Sequence, residues 1–277
     1  MNCTPYRISR WFALFVLSGL PLQGCSKLES YTPQEVSDAE AGDTFKPARY
    51  WALKQVTTTV VNVPFLSGID ALAAQSFNYY VLEWRQEGDT IYQDELLCVT
   101  EISEVMGVQT VVPDQFYIYH GFQTRKAEVS TMKVGADYIA PDNLSVYGAA
   151  LDDPWSDPLP TSATSSTELD SDQDGSPGFT SVITGWLGDG YAEVYVAQRS
   201  VTTMSGQVVS NDRIEGNIAM DLEQVILGAS EGDEWAAADG YESVQDPDPS
   251  HNFFILQALS GSMTCDQLLS QKDTLFD

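Results

Sequence analysis

"RIEGNIAMDLEQVIL", from Arg213 to Leu227, decides the fold class. Ile214, Ile218, Met220, Leu222 and Ile226 share one parity, with Gly216 among them. Arg213, Glu215, Asn217, Asp221 and Glu223 occupy the other. A period of two puts these sets on opposite faces of an extended chain. A helix would place Ile214 and Leu222 on poorly related faces. The run is therefore a strand with one buried and one wet face.

The same signature spreads outward. "YAEVYVAQRSVTTMSGQVV" (Tyr191–Val209) precedes the run and "NFFILQAL" (Asn252–Leu259) follows it. "VTTTVVNV" (Val56–Val63) is β-branched almost throughout. In "FNYYVLEWRQEGDTIYQDELLCVTEI" (Phe77–Ile102) two apolar and aromatic runs flank Gly88-Asp89, the pattern of a hairpin. Only "MTCDQLLSQ" (Met263–Gln271) and "GIDALAAQ" (Gly68–Gln75) have helical character. Many strands without strand–helix alternation predict a mostly β chain. The expected form is an antiparallel β-barrel or β-sandwich with long acidic loops and a short C-terminal helix. One β domain over residues 50–277 accounts for the pattern, and no internal repeat is visible. Two acidic stretches interrupt it, at residues 151–178 and 230–250. Loops of that length are functional or disordered.

The first residues form a targeting segment. "MNCTPYRISRWFALFVLSGLPLQGC" has Arg7 and Arg10, an apolar stretch from Trp11 to Leu20, then Leu22-Gln23-Gly24-Cys25. This is the order of a secretory signal. The stretch is shorter than the roughly 20 residues of a membrane-spanning helix. Its ending resembles the lipobox of bacterial lipoproteins, with Gln23 a less usual residue inside it. The resemblance implies cleavage after residue 24, diacylglycerol on Cys25 and attachment to a lipid bilayer. Ser26 follows the cysteine where an Asp would signal inner-membrane retention, so the resemblance implies an exported protein on the outer membrane of a two-membraned bacterium. Residues 25–49 are polar, contain two prolines and lack an apolar period; they read as a disordered tether.

The net charge is −27, from 40 carboxylates against 13 Lys and Arg. Losing residues 1–24 removes Arg7 and Arg10 and no carboxylate, which makes the rest more acidic still. Such a chain repels nucleic acid and has no basic stripe. Divalent cations or a basic protein partner match it better, and plain solubility also accounts for the excess. Of the four cysteines, Cys3 leaves with the signal and Cys25 takes the lipid. Cys98 and Cys265 remain, and in an oxidising compartment they are expected to pair.

One acidic run carries a chemical motif. In "STELDSDQDGSPGFTSVITG" (Ser166–Gly185), Asp170, Asp172 and Asp174 stand at alternate positions before Gly175. Calcium takes about six to eight hard oxygen ligands, so the chain must wrap the ion. Alternate aspartates let three short carboxylates converge, the glycine permits the turn, and the Ser176 carbonyl stands where a backbone ligand is supplied. The run resembles the Asp-x-Asp-x-Asp-Gly calcium loops of EF-hands, dockerins and thrombospondin type 3 repeats. It departs from the EF-hand at its twelfth position, where Ser181 replaces the bidentate Glu, and at Pro177-Gly178, where a helix should begin. Glu168, water or a distant carboxylate would complete the shell. The segment is also similar to those of uncharacterised bacterial surface lipoproteins, which brings no activity with it. A plain acidic turn is the competing reading.

Catalytic signatures are sparse. His120 and His251 are the only histidines, and no zinc, nucleophile-elbow or phosphate-loop motif occurs. His120 reads as a half-buried strand or turn residue. Three functions are compatible with the chain. The first is a membrane-anchored exported lipoprotein of structural or binding type with a calcium-stabilised loop. The second is a lipocalin-like carrier of a small apolar ligand, suggested by successive amphipathic strands on a tether. The third is a carboxylate-dependent hydrolase, for which no particular residue stands out.

Overall fold

A computed structural model describes residues 28–62, 72–87, 90–105, 107–186, 190–231 and 242–277. The signal segment, Cys25, Gly68–Ala71 and the turn residues Gly88 and Asp89 lie outside the described residues. The strands are β1 (Tyr50–Asn62), β2 (Leu72–Glu87), β3 (Thr90–Ile102), β4 (Gln109–Val111), β5 (Phe122–Val129), β6 (Asp137–Tyr147), β7 (Phe179–Trp186), β8 (Gly190–Val208), β9 (Arg213–Ala229), β10 (Glu242–Gln245) and β11 (Phe253–Leu259). Two helices join them, α1 (Asp114–His120) and α2 (Cys265–Leu275). The chain is mostly antiparallel β, as the alternation predicts.

The hydrogen-bonded path closes on itself. It runs β1–β2–β3–β5–β6–β8–β9–β11 and returns to β1, with every pair antiparallel. The circuit is a β-barrel, which removes the exposed edges of an open sheet. Some staves are split between two strands. β3 pairs with β5 through Ile91–Leu96 and with β4 at Glu101; β8 pairs with β6 through Gln198–Gln207 and with β7 through Gly190–Val196. β4 in turn pairs with β7, so β4–β7 bridges one end of the barrel and β5–β6 the other. Past β11, β10 takes over the edge of β1. The Gln245 side chain then binds the backbone of β9, accepting from the Met220 N–H and donating to the Ile218 carbonyl.

Ile214 and Ile218 of β9 point into the core beside Trp51, Leu53, Leu82, Trp84, Tyr138, Met204 and Phe254. Trp84 stacks on Trp51 at 4.7 Å and on Tyr138 at 6.3 Å between centroids. Gly216 lies opposite Gly206 in β8, and a Cβ there would stand 2.1 Å from the Ser205 carbonyl oxygen. That contact explains the glycine in the apolar parity of β9. Further along the same strand, Met220, Leu222 and Ile226 are half-buried.

Several expectations need correction. Leu28–Arg49, read as a disordered tether, lies against the barrel. Tyr31 stacks on Phe253 at 5.1 Å and donates its hydroxyl to Glu215. The Glu29 amide donates to Gln75 Oε1, and its carboxylate pairs with Lys54 at 2.6 Å. Phe45 is 2% exposed in the main core. Single anchors carry this segment, so it shows no period. Glu215, on the wet parity of β9, is buried because Tyr31 and Arg213 cover its carboxylate. Leu72–Gln75, the described end of the helix-like "GIDALAAQ", is strand: it pairs with β1, and the pairing overrides alanine's helical preference.

His120 ends a helix rather than sitting in a strand or turn. "DQFYIYH" alternates like a strand, but Phe116 packs on Phe179 at 5.5 Å and Tyr147 at 5.1 Å, which holds one helical face down. Gly121, at φ 63°, terminates the helix. The expected C-terminal helix, α2, is present. Thr264 and Gln267 form a reciprocal capping box at its start. Leu268 and Phe276 press on the outer face of the barrel against Ala52, Val56, Tyr79 and Ile255. Cys98 and Cys265 form the expected disulfide, tying α2 to β3. No helix of the described residues is long and apolar enough to cross a membrane.

Candidate metal centre

The stretch from Leu151 to Gly178 leaves the barrel after β6 and returns at β7. Its last part is pinned to the sheet. The Gly148 N–H donates to Ser171 Oγ at 2.7 Å, and the Ser171 N–H donates to the Gly178 carbonyl at 2.7 Å. Gly178 has φ 81°, and a Cβ on it would lie 2.4 Å from the Val196 carbonyl oxygen. Only glycine lets the loop backbone sit that close to β8.

The three predicted aspartates converge. One oxygen from each of Asp170, Asp172 and Asp174 falls within a group no more than 4.8 Å across. Hydrogen bonds to the same carboxylates hold the loop. Asp170 Oδ2 accepts from the Gly175 N–H at 3.0 Å, and Asp172 Oδ2 accepts from the Thr180 N–H at 2.9 Å. Asp174 Oδ1 accepts from the Ser176 N–H at 2.7 Å and Oδ2 from the Thr180 hydroxyl at 2.5 Å. Asp170 Oδ1 and Asp172 Oδ1 are buried with no hydrogen-bond partner. Asp172 is 1% exposed, and burial pushes its carboxyl above the usual range, against the Thr180 N–H and with help from Asp174.

Two buried, unpartnered carboxylate oxygens beside a third carboxylate form an electrostatic problem that a cation solves. The three carboxylates could together hold a metal ion. Ser176 is held by its amide to Asp174. Glu168 accepts from the Gly178 N–H at 2.9 Å and so braces the loop. Thr180 and Ser171 escape the sequence reading. Each contributes through a hydroxyl or amide placed by the return to β7, and neither belongs to the aspartate spacing. β7 begins at Phe179 where an EF-hand would start a helix.

The histidines serve elsewhere. His120 Nδ1 lies 3.1 Å from the Tyr147 hydroxyl, and burial lowers its pKa. His251 Nδ1 lies 2.9 Å from Asp246 Oδ2. Two carboxyls are raised, Asp172 in the loop and Glu95 in the barrel, and neither is a cause of the other's shift. Among the described residues they do not form a coupled acid–base pair. Compared with known protein families, curated proteins and solved structures, the chain matches none.

Proposed function

We propose that this is an exported β-barrel protein, anchored to a bilayer through acylated Cys25, whose aspartate loop binds calcium as a structural ion. The observation that carries the metal reading is the pair of buried, unpartnered oxygens on Asp170 and Asp172. The lipobox-like ending at Cys25 and the Ser26 that follows support export and the outer membrane. The ion would fix the loop to the start of β7 and neutralise three carboxylates that otherwise repel. The acidic surface favours basic protein partners over nucleic acid.

Loops with so few carboxylates fall in the weak extracellular class, with Kd of order 10⁻⁴–10⁻³ M. At about 10 mM calcium, mass action then adds roughly 1.4–2.7 kcal/mol of stability. Melting of the protein in calcium is expected to lie several degrees above melting in chelator. Asp172→Asn should abolish the difference. Identical melting curves, with no calorimetric heat at millimolar calcium, would remove the metal from this reading. Mass spectrometry of the N-terminal peptide tests the anchor: an unmodified Cys25 in the membrane-purified protein contradicts it.

A further inference from the structure

On the outside of the barrel, the long loop after β6 builds one wall of a cleft. Residues 153–157 form a tight turn. The Asp157 and Ser156 amides donate to the Asp153 carbonyl at 2.9 and 3.2 Å, and Asp153 Oδ1 accepts from the Trp155 N–H at 3.1 Å. Arg199 of β8 fastens this turn to the sheet. Its Nη1 donates to the carbonyls of Pro154 (3.2 Å) and Asp157 (2.8 Å), and its Nη2 pairs with Glu223 of β9. Trp155 is held by this strap and still 57% exposed. Its indole makes no hydrogen bond and no ring contact among the described residues. An exposed apolar side chain alone needs no explanation. This one stands at a cavity, on a turn that the fold holds in place.

The cavity is an open cleft of about 580 Å³, within the roughly 300–1,000 Å³ of small-molecule sites. It crosses the outer face from Asp142 in β6, over β8 and β9, to Gln245 in β10. Val201 and Ala219 extend the apolar surface of Trp155 along it. Asp142 sits in a bulge, where pairing with β8 skips from Ala140 to Asn143, and accepts from the Thr203 hydroxyl. Bulges re-aim side chains, and this one delivers a carboxylate to the cleft. Asp221 also lines it, exposed and without a partner among the described residues. The lining selects against three kinds of ligand. An anion meets three carboxylates, and Glu223 already holds the one cation, Arg199. A cation gains Asp221 alone, because Glu223 and Asp142 are engaged, and it meets Arg199 beside the Trp155 turn. A wholly apolar molecule covers Asp221 without giving it a donor.

We propose that this cleft binds a neutral oligosaccharide of hexopyranose units. The flat C–H face of one sugar ring stacks on Trp155 and the strip formed by Val201 and Ala219. Its hydroxyls donate to Asp221 and to the second oxygen of Asp142. The run across several strands leaves the cleft open to a second ring. This site goes beyond the calcium reading and does not rest on it, since Arg199 and not the aspartate cluster straps the Trp155 turn.

The test titrates the full chain, labelled with 5-fluorotryptophan, with cellotetraose, maltotetraose, mannotetraose and tetraacetylchitotetraose. ¹⁹F NMR follows the individual tryptophans, Trp155→Phe identifies the Trp155 signal by deletion, and calorimetry gives affinities. At least one saccharide is expected to shift the Trp155 signal saturably while the buried Trp51 and Trp84 signals stay in place. That affinity should be unmoved by salt, as befits a neutral ligand. Trp155→Ala should weaken it about tenfold or more, and Asp221→Ala severalfold. Nα-acetylarginine amide is the cation control. Saturation by that amide alone, lost at high salt, overturns the proposal in favour of a basic partner. No saturable shift with any of the four saccharides overturns it too, as does binding that leaves the Trp155 signal unmoved; these readings of the unaltered protein need neither alanine variant to fold. Each titration is run in calcium and again in chelator, and binding in either supports the site, so failure of the metal reading leaves this one standing.

Discussion

Replacing Cys98 and Cys265 together by alanine is expected to lower the unfolding free energy by about 5 kcal/mol and the melting temperature by roughly 10–20 °C. The two cysteines stand 167 residues apart, so the bond closes most of the barrel's chain into one loop. The chain-entropy account gives so long a loop close to the upper end of what a disulfide contributes. The native geometry accepts it readily. β2–β3 pairing jumps from Tyr79↔Val99 to Tyr80↔Leu97, which leaves Cys98 as the extra residue of a bulge. Bulges re-aim side chains, and this one turns Cys98 toward α2. Cys265 is the first residue of that helix, directly after its capping threonine. Equilibrium denaturation of the double variant, and of the wild type with and without reductant, measures the effect. A double variant that unfolds at the wild-type midpoint shows that the bond restrains nothing the fold does not already hold. Loss of helical signal alone, with the sheet transition unmoved, would restrict its role to docking α2.

What the sequence made legible follows from how local each signal is. Period-two alternation from Arg213 to Leu227 identifies β9 because one face meets the core and the other water, with no reference to distant residues. Barrel closure has no such local trace. It depends on β1 meeting both β2 and β11, and on β3 and β8 each changing partner midway along their length. Tyr31 and Phe45 hold the Leu28–Arg49 segment as isolated anchors, and isolated anchors look like tether composition. In α1 the period of the sequence competes with Phe116 burial, and burial wins. The aspartates of the loop were visible by spacing, since three carboxylates on alternate residues are excessive for a turn. Thr180 and Ser171 were not, because their role arises only when β7 brings the loop back to the sheet. The buried charges of Glu95 and Arg125 were equally hidden. Both look like ordinary wet-face charges in their strands until closure turns those positions inward.

Glu95→Gln is expected to stabilise the protein at about pH 8 by roughly 3 kcal/mol and to have almost no effect near pH 4.5. Burial, opposed by Arg125, raises the Glu95 carboxyl from 4.5 to about 7. The sign follows from proton counts. Between pH 4.5 and 7 the folded protein holds this proton while the unfolded chain has released it, so wild-type stability falls as pH rises through the window. Below 4.5 both states are protonated; above 7 both are ionised and the full penalty is present. Glutamine stays neutral throughout and lacks the penalty. Subtracting the variant's pH–stability profile from the wild type's cancels the many surface carboxylates common to both. Parallel profiles from pH 4.5 to 8 would show that Glu95 titrates normally, as a water-exposed side chain does.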